Sequence, residues 1–261
     1  MPGDAMLDAA GWFVAAGAVM ITGMSKTGLG GAFGGLAVPL MSIWMAPRDA
    51  AAVMLPILLL MDAIGVRAYW GQWDRGELLR LVPAAWIGIV AGAFAFGTLP
   101  EFAVKGIVGV ISLGFAVYRF VGAHRPAGAE SSMARGGVLW GAVSGFTSTI
   151  AHAGGPPLLV YLLRRGLDKR RFLATTVFFF AAVNLSKVLP YWELHLISRR
   201  TLLTSATLLP CAPLGTWFGL ALQRRIPERA FFVVATTLLA LSGAKLLADA
   251  IGAALTIGLA H

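Results

Sequence analysis

Apolar runs of about 20 residues alternate with short polar segments along most of the chain. The runs lie at residues 50–69, 78–96, 104–121, 172–189, 202–222 and 231–247. An α-helix rises about 1.5 Å per residue, so each run is long enough to cross a hydrocarbon core of about 30 Å. The pattern therefore predicts an all-α polytopic membrane protein.

Two glycine-rich segments interrupt this regularity, at residues 9–45 and 135–163. The second has 29 residues, whereas two full spans need about 40. We therefore predict a broken, re-entrant hairpin of half-helices that returns to its starting side, and a deeper one for the first segment. Irregular backbone at that depth is tolerated only where it is buried in protein or lines a cavity.

The two halves of the chain repeat each other in order. Pro83, Ala85, Gly88 and Gly92 recur 127 residues later as Pro210, Ala212, Gly215 and Gly219, and Tyr69-Trp70 recurs 122 residues later as Tyr191-Trp192. We predict a first repeat at 1–121 (hairpin 9–45, spans about 50–70, 77–98 and 101–121), a linker at 122–134 and a second repeat at 135–261 (hairpin 135–163, spans about 169–190, 200–222 and 228–250).

Basic residues predict how the repeats sit in the membrane. Arg164, Arg165, Lys169, Arg170 and Arg171 crowd one short loop, which the positive-inside rule assigns to the cytoplasm. Three spans per half then give repeats of inverted topology. This places the 122–134 linker in the cytoplasm and both termini in the periplasm, with the inner membrane as the expected location.

Composition excludes several classes of function. The chain has one cysteine and four histidines that are not closely spaced, so we expect no disulfide, no metal site and no cofactor. Nucleotide loops and paired nucleophiles and bases are absent from the sequence, which argues against an enzyme. The net charge of +9 reflects loops facing the cytoplasm and a lipid bilayer partner rather than nucleic acid.

The hairpin tips hold the strongest candidates for a binding site. Glycine lets backbone approach a ligand, and donors at helix breaks in inverted repeats bind anions in secondary transporters. The candidate substrate-binding residues are Ser25, Lys26, Thr27, Gly30, Gly31, Gly34, Thr147, Ser148, Thr149, His152, Gly154 and Gly155. Three structural alternatives stay open: glycines that serve helix packing, a Lys26 that extends to the interface, and a His152 that bonds a backbone carbonyl.

Four other polar residues fall inside apolar runs, namely Asp62, Arg67, Asn184 and Lys187. Buried charge is costly in lipid, so we read them as coupling or pore-lining groups, with structural pairing as the alternative. Asn184 and Lys187 share a helix face, and Asp62 precedes Asn184 by the same 122 residues. Asp62 and His152 are the groups that we expect to change protonation during transport. We interpret the following as interfacial aromatics: Tyr69, Trp70, Trp73, Tyr191 and Trp192.

These motifs together resemble the sulfite exporter TauE/SafE family of bacterial membrane transporters. The resemblance rests on Gly30-Gly31, Gly34-Gly35, Pro39, Gly154-Gly155-Pro156-Pro157 and the paired helices at Pro83 and Pro210, and it extends from about Leu7 to Leu247. It implies a secondary transporter that moves sulfite, sulfoacetate or a related organosulfonate, in the export direction. An anion channel and a membrane scaffold remain alternatives; the anion, the coupling ion (proton or sodium) and the oligomeric state, a homodimer included, stay open.

Overall fold

The computed structural model describes residues 7–28, 34–122, 136–162, 165–222 and 228–258. Within these ranges the chain is helical and contains no strand, which confirms the all-α prediction. The elements are α1 (Ala9–Gly28), a 3-10 turn (Gly34–Leu36), α2 (Ala37–Met41), α3 (Pro47–Ala68), α4 (Arg75–Thr98), α5 (Glu101–Gly122), α6 (Gly137–Ala151), α7 (Gly155–Leu162), α8 (Lys169–Glu193), α9 (Arg199–Leu208), α10 (Cys211–Leu222) and α11 (Glu228–Gly258).

Five of the described helices are long and apolar enough to cross a membrane: α3, α4, α5, α8 and α11. Helix α4 illustrates their outer surface, because Ile87, Val90 and Phe94 are all more than 60% exposed. A face of large exposed apolar side chains is what contact with lipid requires. The polytopic membrane class is therefore confirmed.

Polar caps fix the points at which the helices begin. The Asp74 side chain accepts a hydrogen bond from the amide of Glu77 at the start of α4. The Asp168 carboxylate accepts bonds from the amides of Arg170 and Arg171 at the start of α8. Each carboxylate satisfies amides that have no partner inside the helix, so a short polar loop is enough to end one span and start the next.

Helices α6 and α7 form a tight antiparallel hairpin. A Cβ added to Gly137, at the start of α6, would lie 2.8 Å from the hydroxyl of Tyr161 near the end of α7. Closer to the turn, the Ser144 hydroxyl donates to the carbonyl of Gly154 over 2.7 Å. Helix α6 ends at His152, whose φ of 50° is left-handed and reverses the chain.

The first glycine-rich segment folds back in the same manner. A Cβ on Gly11, at the start of α1, would lie 3.2 Å from the Trp44 ring, which follows α2. The two arms are unequal, because α1 has 20 residues and α2 has five. A five-residue helix has little aligned dipole, so α2 contributes little positive charge at this tip.

The hairpins are held by helices from the opposite half of the chain. Helix α4 packs along α6, where a Cβ on Gly88 would lie 1.9 Å from the carbonyl oxygen of Ala142. Helix α10 packs along α1, where a Cβ on Gly215 would lie 2.6 Å from the carbonyl oxygen of Met20. Both contacts bring backbone against backbone, which only glycine permits.

One predicted span differs in continuity from its counterpart. Helix α4 continues through Pro83, whereas the segment expected at 200–222 is interrupted between α9 and α10 at Leu209 and Pro210. Proline removes an amide donor and crowds the preceding turn, so it favours a break wherever the surrounding packing permits one.

Candidate functional site

The tips of the two hairpins touch each other. A Cβ added to Gly35 would lie 2.5 Å from the Cβ of Ala153 and 2.7 Å from its Cα, and one added to Gly34 would lie 3.7 Å from the carbonyl oxygen of His152. The sequence predicts one chain reversal in each half, and the two turns that make these reversals therefore contact each other. Side chains beyond glycine at this contact would force the tips apart.

A small cavity opens beside the tip contact. Its walls come from both hairpins and from α3 and α8, and they comprise Lys26, Gly34, Leu58, Ser148, His152, Gly155, Phe180 and Asn184. About 20 Å³ is open to the centre of a water molecule, which is room for a single water. An oxyanion of sulfur is larger than that and enters only when the walls move.

On one side of the cavity, Lys26 and Asp62 form an ion pair. The Lys26 ammonium donates to one carboxylate oxygen of Asp62, and the amide nitrogen of Asn184 donates to the other over 2.6 Å. The Lys26 and Asp62 side chains are only 14% and 4% exposed. Because the opposite charges are in contact, the pair as a whole is neutral.

On the other side, Lys187 is fully buried and contacts neutral groups. Its Nζ lies 3.0 Å from the carbonyl oxygen of Ser148, 3.1 Å from the Ser148 hydroxyl and 2.7 Å from Nδ1 of His152. The other ring nitrogen of His152 lies 2.9 Å from the carbonyl oxygen of Ala51 and must donate to it. An ammonium at Lys187 only donates, so Nδ1 then accepts from it and the imidazole is neutral.

Tyr191 lies among buried residues close to His152 rather than at the membrane interface. The residue is completely buried, and its hydroxyl donates to the carbonyl oxygen of Thr149 over 2.6 Å. Its ring centroid lies 6.4 Å from that of His152. The interfacial interpretation of Tyr191 is therefore wrong, whereas Trp70 and Trp192 are 68% and 64% exposed.

The structure brings together half of the predicted site residues. Those that line the cavity are Lys26, Gly34, Ser148, His152, Gly155 and Asn184. Asp62 and Lys187 stand directly behind them, each bonded to residues of that lining. Polar residues of both hairpins and of two long helices thus form two hydrogen-bonded clusters that border the same cavity.

Other predicted residues lie apart from the cavity. The hydroxyls of Thr147 and Thr149 donate to carbonyls one turn back in α6, and Gly154 packs against Ser144. Arg67 is exposed near the end of α3. Ser25 is buried in α1 and does not line the cavity. Gly30, Gly31 and the Thr27 side chain lie outside the described residues.

Sequence reasoning missed the apolar walls. Leu58 and Phe180 line the cavity, and they stand 122 residues apart, the offset that also relates Asp62 to Asn184. Extending that offset along α3 and α8 by one helical turn would have identified both. The carbonyl of Ala51, which fixes the His152 tautomer, gives no signal in the sequence because any residue supplies a carbonyl.

An all-α membrane protein with buried charges around a cavity between two helical hairpins has the architecture of a membrane transporter. A family model described as "Sulfite exporter TauE/SafE" matches residues 15–246 of the chain. The protein belongs to this family, which is a family of membrane transporters and not of enzymes. Neither a curated protein nor a solved structure gave a significant match to the chain.

Proposed function

We propose that the protein is a secondary transporter that carries a small sulfur-containing anion, such as sulfite, sulfoacetate or a related organosulfonate, across the inner membrane by alternating access. Export is the proposed direction. The observation that carries the proposal is the pair of cations beside the cavity where the hairpin tips meet, namely the partly buried Lys26 and the fully buried Lys187. Buried charge within a membrane protein marks substrate pathways, and membership of the family supports the sulfur chemistry.

The charge count favours an anionic substrate. Lys26 is neutralised by Asp62, whereas Lys187 has no carboxylate within ion-pair distance among the described residues. A protonated Lys187 therefore leaves one positive charge beside the cavity. A monovalent anion would make the loaded site neutral, and a neutral site is the least costly one to move through a membrane.

Lys187 is also the group that we assign to proton coupling, in place of Asp62 and His152. As an ammonium it donates to three acceptors, namely the Ser148 carbonyl, the Ser148 hydroxyl and Nδ1 of His152. As an amine it still donates to two of them and accepts from the rotated Ser148 hydroxyl. Both protonation states keep their hydrogen bonds, whereas Asp62 is held by Lys26 and Asn184.

Packing supports inverted repeats as the basis of alternating access. Helix α4 of the first half holds hairpin α6–α7, and α10 of the second half holds α1. The contacting residues correspond as well: Gly88 and Gly215 are 127 residues apart, and their partners Ala142 and Met20 are 122 apart. Each half thus supports the hairpin of the other half through equivalent helices. This arrangement would let the two halves move against each other as rigid bodies during alternating access.

Counterflow in proteoliposomes tests the function. Vesicles loaded with unlabelled sulfite should accumulate labelled sulfite, and acidifying the outside should increase uptake if a proton accompanies the anion. Protein-free vesicles are the control. A channel would dissipate the gradient without counterflow, a scaffold would give no flux, and sodium dependence without proton dependence would overturn the assignment of Lys187.

Cysteine labelling tests the proposed orientation, with both termini in the periplasm. On a Cys211→Ala background, Arg75→Cys at the start of α4 should be shielded from an impermeant thiol reagent in intact cells. Glu193→Cys, at the C-terminal end of α8, should be labelled, because this end faces the periplasm in the proposed orientation. Both positions are exposed, so a reversed labelling pattern would invert the topology and equal labelling would reject it.

A further inference from the structure

Asn184 is satisfied on only one side. Its amide nitrogen donates to Asp62 over 2.6 Å, but its amide oxygen has no hydrogen-bond partner among the residues that the structure describes. The residue is 2% exposed. A buried polar atom without a partner is rare and costly, so its position within a proposed binding site calls for an explanation.

The orientation of this amide follows from its neighbours. Asp62 is ionised against Lys26, and an ionised carboxylate only accepts hydrogen bonds. The amide nitrogen of Asn184 must therefore face Asp62. A flipped side chain would set two oxygens against each other, so the unpartnered atom is the oxygen, a hydrogen-bond acceptor.

A hydrogen-bond acceptor is unusual in the lining of an anion-binding cavity, because the outer atoms of an anion are themselves acceptors. Asn184 lines the cavity together with Lys26, Ser148 and His152. An anion whose outer atoms are all acceptors bonds to the cations but leaves the amide oxygen unpaired. A substrate that has its own O–H group satisfies both. Sites built to bond a hydroxyl reject analogues that lack it far more strongly than apolar pockets reject a missing methyl.

We propose that the amide oxygen of Asn184 accepts a hydrogen bond from the substrate, so that the carrier prefers monovalent sulfur anions that bear a hydrogen-bond donor. The O–H form of hydrogensulfite and hydroxyalkylsulfonates belong to this class. Sulfoacetate, a dianion without a donor, and taurine, a zwitterion without net charge, do not. This inference rests on the proposed function and narrows its substrates, because beside the cavity, within the part of the chain that the structure describes, Lys187 carries the one positive charge without a counter-ion.

A matched pair of ligands tests the inference on the wild-type protein. In 2-hydroxyethanesulfonate a hydroxyl occupies the position that a methyl group occupies in propane-1-sulfonate, and both carry one negative charge. The dissociation constants of both are measured on purified protein. We expect the hydroxylated anion to bind roughly 5- to 100-fold more tightly, the range that corresponds to one buried unpaired polar group. Equal affinities would overturn the inference.

Variants assign the preference to its atom. Asn184→Leu should bring the affinity ratio close to one. Phe180→Leu changes an apolar wall of the same cavity, so it should alter both affinities but keep their ratio. A ratio that survives Asn184→Leu would refute the role of this residue, and if that variant does not fold, the wild-type ratio still decides. Loss of sulfite counterflow in the wild type would instead refute the proposed function.

Discussion

The two buried lysines beside the cavity are held in opposite ways. Lys26 lies on a hairpin helix, and its carboxylate partner Asp62 lies on a long helix. Lys187 lies on a long helix, and its neutral partners Ser148 and His152 lie on the other hairpin. At the 122-residue offset, Lys26 corresponds to Ser148 and Asp62 to Asn184. The ion pair of one half is thus a hydroxyl and an amide in the other.

This difference shows which features of a duplicated scaffold stay fixed and which diverge. The glycines that bring hairpins and supporting helices together keep their equivalent positions, because any side chain there would meet backbone. The polar residues at equivalent positions differ between the two halves, so the charged side chains are distributed unequally. One half supplies a closed, neutral pair, and the other supplies a cation whose counter-ion we propose to be the substrate.

The largest expected effect is on stability, from Asp62→Asn. This change leaves Lys26 without its counter-ion and next to a second buried cation, Lys187. Removing one partner of a buried ion pair costs about 3–5 kcal/mol. We expect a loss of that order in the free energy of unfolding, measured by SDS titration of the purified protein in detergent micelles.

The double variant separates lost charge balance from lost shape. Combining Lys26→Met with Asp62→Asn removes both charges and keeps the side chains close to their original size. It should recover most of the stability that either single variant loses, because replacing a buried pair by neutral groups is often tolerated. If the losses add instead, Lys26 and Asp62 do not act as a pair.

The next effect is on binding, from Lys187→Met. The substrate loses the cation beside the cavity that has no carboxylate partner among the described residues. Because the three ammonium protons are bonded within the protein, the charge acts on the anion through space, and unit charges roughly 5–10 Å apart at an effective dielectric constant of about 20 attract by about 1.7–3.3 kcal/mol, or roughly 15- to 200-fold in affinity. We expect the dissociation constant for sulfite to rise by that factor, and the pH dependence of uptake to disappear.

A lysine outside the cluster supplies the control. Lys245→Met removes a half-exposed lysine that pairs with Asp249 one turn along α11, and it should leave the affinity for sulfite unchanged. Lys187→Arg keeps the charge but removes the ability to release a proton, so it should bind sulfite without coupling to pH. Normal sulfite affinity in Lys187→Met would show that this lysine is only structural.

Much of the fold was predictable because a membrane imposes strong rules. Every backbone group in lipid must bond within its own helix, so long apolar runs translate directly into helices such as α3 and α8. The glycine-rich breaks were predictable for the same reason, since they stand out against that regularity. The 122-residue offset further related Asp62 to Asn184, and the structure brings these two side chains into hydrogen-bond contact.

The hydrogen-bond or ion-pair partner of each polar side chain was not predictable from the spacing of residues in the sequence. The sequence left Lys26 to bind substrate or to reach the interface, and the structure pairs it with Asp62. His152 bonds the carbonyl of Ala51, which was one of its open alternatives. Tyr191 was misjudged because aromatic residues near span ends usually face the interface. A hydroxyl that finds a buried carbonyl, here that of Thr149, reverses the preference.

A smaller effect is expected at the contact between the hairpin tips, from Gly35→Ala. The new methyl group would lie within 2.7 Å of both Cα and Cβ of Ala153, so backbone must shift. Overpacking of this kind costs about 1–3 kcal/mol. We expect reduced thermal stability and slower counterflow. Gly17→Ala, in α1, is the control: no atom lies within 4 Å of the added Cβ, and it should be neutral or stabilising. Equal behaviour of the two would mean that the tips do not constrain transport.

The smallest effect is expected from Ser148→Ala, which tests the proton-carrying role of Lys187 most directly. In this variant the Lys187 ammonium keeps two of its three acceptors, namely the Ser148 carbonyl and Nδ1 of His152. The affinity for sulfite should therefore fall only about 2- to 12-fold, the equivalent of one net hydrogen bond. The bond that the ammonium loses is charge-assisted, whereas the amine loses only the neutral bond that the hydroxyl donates to it, and neutral bonds are about half as strong.

Ser148→Ala should therefore favour the neutral lysine, and the pH midpoint of uptake should move downward, which a pH series of counterflow rates measures. Ser112→Ala is the matched control, since its buried hydroxyl bonds only within α5, to the carbonyl of Val108. An unchanged midpoint in Ser148→Ala, with weakened binding, would leave Lys187 as an anchor for the anion and assign the coupling proton to another group.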